Sequence, residues 1–130
     1  MARQLRLFLV AIQFYTRIPV TGRLARWMGW DSAWLGPATR YFPLAGILVA
    51  LGQSLVYIAA SLVVPQPVAV LFGVLAGLLL TGAFHEDGWA DFCDGFGGGG
   101  DRASTLAIMR DSRIGAYGAI GLLVMLMLRF

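Results

Sequence analysis

The sequence predicts an all-α, polytopic integral membrane protein, and three observations predict it. Residues of the AVILMFWYC set make up 58% of the 130 and glycine adds 17 more, while charged residues are only 13%, about half the roughly 25% of a soluble domain. No charged residue occurs over residues 41–84, a run of 44. The remaining charges are segregated: all ten basic residues are Arg, six of them before residue 41, and six of the seven acids lie within 86–111. Such a chain has too little polar surface for a water-soluble monomer and too many apolar residues for disorder. Its arginines alternate with bulky apolar residues and form no basic face, so nucleic acid is not expected as a partner. The single Cys93 excludes an intrachain disulfide and a CxxC metal site.

Residues 5–15 are apolar and bracketed by Arg3, Arg6 and Arg17. This is an interfacial or re-entrant helix with snorkelling arginines, not a signal peptide, because no small-residue cleavage site follows. Residues 18–40, with Pro19, Gly22, Gly29, Gly36, Pro37 and the tryptophans Trp27, Trp30 and Trp34, read as a loop at the headgroup level, where an indole keeps its N–H hydrated.

Pro65 and Pro67 break the uncharged run near its middle, which makes a hairpin of two spans, residues 44–64 and 67–84. These rise about 31 and 27 Å, close to the roughly 30 Å of bilayer hydrocarbon. Gly73 and Gly77 have the spacing that lets helices approach closely; the alternative is that glycine is merely tolerated there. A third apolar stretch, residues 115–128, is about 21 Å long and too short to cross. It reads as a span cut off partway, and the chain as a single membrane domain that is the N-terminal portion of a longer one. Six arginines before the first span place that end in the cytoplasm. The hairpin returns residues 85–114 to the same side, in agreement with Arg102, Arg110 and Arg113.

The chemistry is expected directly after the second span, in His85-Glu86-Asp87-Gly88-Trp89-Ala90-Asp91-Phe92-Cys93-Asp94-Gly95. On a helix Asp87, Asp91 and Asp94 fall within about 60° of one another, with Trp89, Phe92 and Phe96 opposite. Three carboxylates on one stripe repel by up to about 4 kcal/mol per pair at 4 Å, so water must screen them or a cation must hold them. The all-oxygen set Glu86, Asp87, Asp91 and Asp94 points to a hard ion, Mg²⁺ before Zn²⁺, sharing its coordination with substrate phosphates. The alternative is a solvated helix face. Concentration of nearly all the acids at a membrane boundary favours function. His85 is either a ligand and proton carrier or a structural hydrogen-bonder.

The run from Gly95 to Gly100 ends that helix and starts another, with Asp101 at the N-cap. Its glycines, Gly97 and Gly98 among them, serve either as a linker or as a backbone cradle for phosphate. Arg110 and Arg113, one turn apart, either grip a diphosphate or anchor the loop. Carboxylates, a glycine loop and paired arginines together suit phosphoryl transfer, which needs little beyond metal placement and charge neutralisation.

Four blocks resemble the adenosylcobinamide-GDP ribazoletransferase (cobalamin synthase) family. They are Phe14-Tyr15-Thr16-Arg17-Ile18-Pro19-Val20, Tyr41-Phe42-Pro43-Leu44-Ala45-Gly46, His85-Glu86-Asp87-Gly88 through Asp94-Gly95, and Ile108-Met109-Arg110-Asp111-Ser112-Arg113-Ile114-Gly115-Ala116-Tyr117-Gly118. The resemblance implies a bacterial inner-membrane enzyme with Mg²⁺ that joins adenosylcobinamide-GDP to α-ribazole or its 5′-phosphate and releases GMP. The expected catalytic residues are Asp91, Asp94 and His85. The expected substrate-binding residues are Arg110, Arg113, Arg17, Arg40, Asp111, Ser112, Gly97 and Gly98. Partners implied are the two substrates, the lipid bilayer, and a second copy or other late cobalamin-pathway enzymes. Asp91-Phe92-Cys93-Asp94-Gly95 also echoes the opening of CDP-alcohol phosphotransferases, whose later acidic pair is missing here. A lipid enzyme of that kind, and a non-catalytic module or divalent-cation carrier, are the competing readings.

Overall fold

The computed structural model describes residues 2–130, and among these the regular structure is entirely helical. The chain forms two compact units, residues 1–82 and 83–130.

In the first unit α1 (Ala2–Tyr15) places Leu7, Val10 and Ala11 in a small core with Met28 and Ala38. Its amphipathic face is therefore buried against protein. The segment expected as a loop is largely helical instead: α2 (Gly22–Met28), a 3₁₀ turn at Ser32–Trp34, α3 (Leu35–Ala38) and a second turn at Thr39–Tyr41. The positive φ of Gly22 and Gly29 brackets α2, and Met28 and Ala38 reach the core only through these short helices. Burying those side chains decides the local structure against the glycine and proline signals. Trp27 and Trp30 stay exposed, and the Arg6 guanidinium lies 4.9 Å over the Trp27 ring.

Helices α4 (Phe42–Ser61) and α5 (Gln66–Thr81) form the expected hairpin, with Pro43 and Pro67 in the first turns where the missing N–H costs nothing. Gly73 faces the Cβ of Tyr57, and Gly77 faces the Gln53 amide so closely that a methyl group would collide with it. Small residues thus let the two backbones approach, as their spacing predicts. The continuous helical stretch Ser32–Ser61 is long and apolar enough to cross a membrane. Helix α5, at 16 residues, is shorter than the expected span because Gly82 ends it in the left-handed conformation, and it passes the same test only together with the next helix. Leu51, Leu55, Ile58, Leu62 and Val63 leave most of their surface uncovered.

The second unit consists of α6 (Phe84–Gly98), α7 (Arg102–Ile108) and α8 (Ala116–Arg129). The fourteen residues of α8 agree with an apolar stretch too short to cross. Helix α6 does not stop at Gly95 but continues through Gly98. The reason is packing. A Cβ at Gly95 would meet Met109, one at Gly97 the Tyr117 ring, and one at Gly99 the Thr105 side chain. The glycines form a bare surface on which α7 and α8 lie, which offsets their poor helix propensity. Asp101 caps α7, accepting from the Ser104 backbone N–H at 2.8 Å while the Ser104 hydroxyl returns to the Asp101 N–H.

Candidate functional site

The carboxylate stripe forms because α6 is helical across its whole length. Its aromatic counterpart forms too: Trp89 stacks on Phe92 at 5.6 Å and Phe92 meets Phe96 at 4.5 Å. Trp89 Nε1 donates to the Gly121 carbonyl at 3.0 Å, which ties that side of α6 to α8.

The opposite side opens on a cleft of about 370 Å³ within the second unit. Glu86, Asp87, Asp91 and Asp94 line it from α6, and Arg110, Asp111, Ser112 and Arg113 line it from the segment between α7 and α8. Eight of the predicted site residues therefore share one cavity although 16 positions separate the two groups. His85 does not line it; its ring packs edge-on against Phe84 at 5.5 Å. Gly97 lies under the Tyr117 ring and Gly98 against Ile108. Arg17 and Arg40 belong to the first unit. There the Arg17 backbone N–H donates to the Leu80 carbonyl and Arg40 Nε donates to the Pro37 carbonyl at 2.9 Å.

The four acids of α6 differ in what they already hold. Asp87 and Asp91 have no hydrogen-bond or ionic partner among the described side chains. Glu86 is 7% exposed. Its Oε1 accepts from Arg129 at 2.6 Å, and its Oε2 is buried with no partner among the described residues. Asp94 is 8% exposed, and both of its oxygens are taken: Oδ2 by the Gly115 N–H at 2.7 Å and Oδ1 by the Gly118 N–H at 2.8 Å. Among the described residues no three His, Cys, Asp or Glu side chains converge as a metal cage. The predicted four-carboxylate set is not drawn into one cluster. What the cleft offers is two unengaged carboxylates and two arginines, Arg110 and Arg113. That donor set fits a hard cation that completes its shell with ligand phosphates and water.

Across the cleft Arg113 is held by its neighbour. Its guanidinium donates to both oxygens of Asp111, from Nη2 at 2.5 Å and from Nε at 3.0 and 3.1 Å. The Arg113 side-chain hydrogen bonds, followed by its backbone N–H, hold the Asp111 carboxyl down at about 2, and Asp111 raises Arg113 in turn. Arg110 has no such partner among the described residues.

Two contributors were missed in the sequence. Arg129, the one charge ending an apolar stretch, needed an acidic partner, and Glu86 is that partner. Gly115 and Gly118 stand at the N-cap and third position of α8, a spacing that invites an acceptor from elsewhere.

Among the described residues, a wholly helical fold with one apolar helix of membrane-crossing length and a cleft of carboxylates and arginines defines the class, a helical protein with a membrane-spanning candidate and a charged cleft. Comparison of sequences defines the family. Residues 7–130 match the model of the cobalamin-5-phosphate synthase family, and the chain belongs to it. It is similar to proteins named adenosylcobinamide-GDP ribazoletransferase. Identity is 50% over 128 residues to that of Shewanella frigidimarina (98% of this chain, 48% of the relative). It is 47% over 128 residues to that of Shewanella amazonensis (98% and 48%), and 45% over 132 residues to that of Albidiferax ferrireducens (98% and 47%). The chain spans about half the length of the curated relatives it matches. No solved structure matches it.

Proposed function

We propose that this chain supplies the metal- and diphosphate-binding part of a membrane transferase that joins adenosylcobinamide-GDP to α-ribazole or its 5′-phosphate and releases GMP. Family membership and the names of its relatives support the reaction. The observation that carries the site is the placement of Asp87 and Asp91, both unengaged, in one cleft with Arg110 and Arg113.

In this reading a ribazole hydroxyl oxygen forms a bond to the cobinamide-side phosphorus, the phosphoanhydride bond to GMP breaks, and the hydroxyl proton passes to solvent or a nearby base. Asp87 and Asp91 would hold Mg²⁺, which when bound neutralises charge on the diphosphate and on the departing phosphate. Arg110 contacts the diphosphate directly. Arg113 joins it by exchanging the Asp111 carboxylate for a phosphate oxygen, an exchange between like acceptors. Ser112, exposed between them, contributes a hydroxyl and backbone N–H. In the same reading the protein crosses the inner membrane several times, and the arginine distribution supports an N-terminus and acidic segment on the cytoplasmic side.

The test is Asp91→Asn in the intact enzyme in membranes. GMP release from the guanylated corrinoid should fall at least about 100-fold, with the protein still membrane-bound. Activity within a few-fold of the parent overturns the assignment. Competition by cytidine in place of guanosine nucleotides, or divalent-ion flux without GMP release, would favour the lipid-enzyme or carrier reading instead.

A further inference from the structure

We propose that Asp94 is a positioning residue: it fastens the N-terminus of α8 to α6, thereby fixing the Arg110–Arg113 segment opposite Asp87 and Asp91, and it is not a metal ligand. The inference deepens the function proposed above and rests on that reading of the cleft.

A helix leaves its first N–H groups without partners, and normally a Ser, Thr, Asp or Asn at its own N-cap satisfies one of them. Helix α8 has glycine there and no side-chain cap of its own. Its orphan donors are met by a carboxylate 21 and 24 residues earlier, one oxygen for Gly115 and the other for Gly118. A negative charge at this end also meets the positive pole of the helix. The approach is close enough that a Cβ on either glycine would strike the Asp94 carboxylate, and one on Gly118 would also come to 3.0 Å from the Ala90 carbonyl. Two glycines and one buried aspartate thus form a single interlocking contact.

The contact determines what lies beside it. The segment bearing Arg110 and Arg113 leaves α7 at Ile108 and enters the clamp at Gly115, so both of its ends are held within a few residues of the arginines. Releasing the clamp frees the segment from the wall of the cleft. Each Asp94 oxygen already accepts from a backbone amide in a buried setting, so a cation there would have to share or displace those bonds, a constraint that Asp87 and Asp91 do not face.

The experiment compares Asp94→Asn, Gly118→Ala and Asp91→Asn in the intact enzyme by amide hydrogen exchange and by steady-state kinetics. Asn keeps the size of Asp94 but turns an NH₂ toward one of the two amides. Gly118→Ala breaks the same contact while leaving the carboxylate intact. Both should speed exchange at residues 115–118 by about ten-fold, the factor for losing one ordinary cap. Both should raise KM for the guanylated substrate, their effects should not add when combined, and the Mg²⁺ concentration for half-maximal rate should stay within about two-fold of the parent. Asp91→Asn should do the reverse, shifting the Mg²⁺ dependence about ten-fold or more with exchange at 115–118 unchanged. Unchanged exchange in Asp94→Asn, or a Mg²⁺ shift as large as that of Asp91→Asn, overturns the proposal. If the parent itself releases no GMP, the reading of the function fails, while exchange in the two clamp variants still decides the clamp.

Discussion

Arg129 closes the last turn of α8 onto Glu86 in the first turn of α6, Nη1 to Oε1 at 2.6 Å, and leaves Glu86 Oε2 buried without a partner among the described residues. The pair staples the two helices at the end opposite the Asp94 clamp, so α8 is tied to α6 at both its termini. Its asymmetry makes a prediction. Arg129→Met strips the only partner found among the described residues from a carboxylate that is already half-unsatisfied, and should lower unfolding stability in detergent by about 2 kcal/mol. That is less than the 3–5 of a fully buried pair because the Arg129 side chain is 36% exposed. Adding Glu86→Gln to that variant removes the stranded charge and should recover about half of the loss. Denaturant midpoints of the two variants check it, and no recovery in the double variant would mean that Glu86 is not stranded.

Glycines within one helix should respond with opposite signs. Gly88 sits in the second turn of α6 with nothing near its missing Cβ, whereas Gly97 lies under the Tyr117 ring. Gly88→Ala should therefore stabilise by about 0.5–1 kcal/mol through helix propensity. Gly97→Ala should destabilise by about 1–3 kcal/mol because the ring must move. Thermal unfolding of both variants is the measurement, and equal effects would show that the α6–α8 contact is not close.

The same contrast explains what was legible in the sequence. The helix carrying Asp87, Asp91 and Asp94 follows from local spacing, as does the Asp101 cap. Gly73 and Gly77 face α4 as their four-residue interval predicts. Arg110 and Arg113 share a cleft with the acids, which composition near a membrane boundary suggested. What was not legible depends on partners distant in the chain. The Gly95–Gly98 turn is helical only because Met109 and Tyr117 cover it. The difference between Asp91 and Asp94 arises entirely from amides more than twenty residues later, and no period along α6 distinguishes them. The helices within residues 22–41 likewise depend on a core that their own turn-forming residues do not announce.

Acid should release Arg113 only at very low pH. The Asp111 carboxyl is held from 3.8 down to about 2, first by hydrogen bonds from the Arg113 side chain and then by the Arg113 backbone N–H. A depressed carboxylate contributes fully above its unfolded value and loses that contribution as pH falls through the folded one. The pair should therefore be intact at pH 4, begin to lose its contribution to stability below about 3.8, and be half protonated only near about 2. Carboxyl chemical shifts of Asp111 across that range measure it. Arg113→Gln should move the midpoint upward without restoring it fully, since the backbone N–H at residue 113 still donates. A midpoint that does not move would mean that Arg113 is free in solution.

The turn between α5 and α6 carries a backbone strain that substitution can read. Gly82 and Ala83 are both left-handed, at φ 67° and 58°, and Ala83 is the one non-glycine residue with positive φ among those described. An alanine there pays about 1–2 kcal/mol for the close approach of its Cβ to the carbonyl oxygen, yet its own carbonyl accepts the Asp87 N–H at 2.9 Å and begins α6. Ala83→Gly removes the strain at an unfolded-state entropy cost of about 0.5–1 kcal/mol, so the net effect should be a gain of no more than about 1 kcal/mol. Ala83→Val, β-branched and poorly tolerated at positive φ, should cost more than about 1 kcal/mol. Because Ala83 also lines the cleft beside Glu86 and Asp87, the valine variant should lose GMP release along with stability and the glycine variant should retain it. A valine variant as stable as the parent would show that the chain does not turn through a left-handed residue at this position.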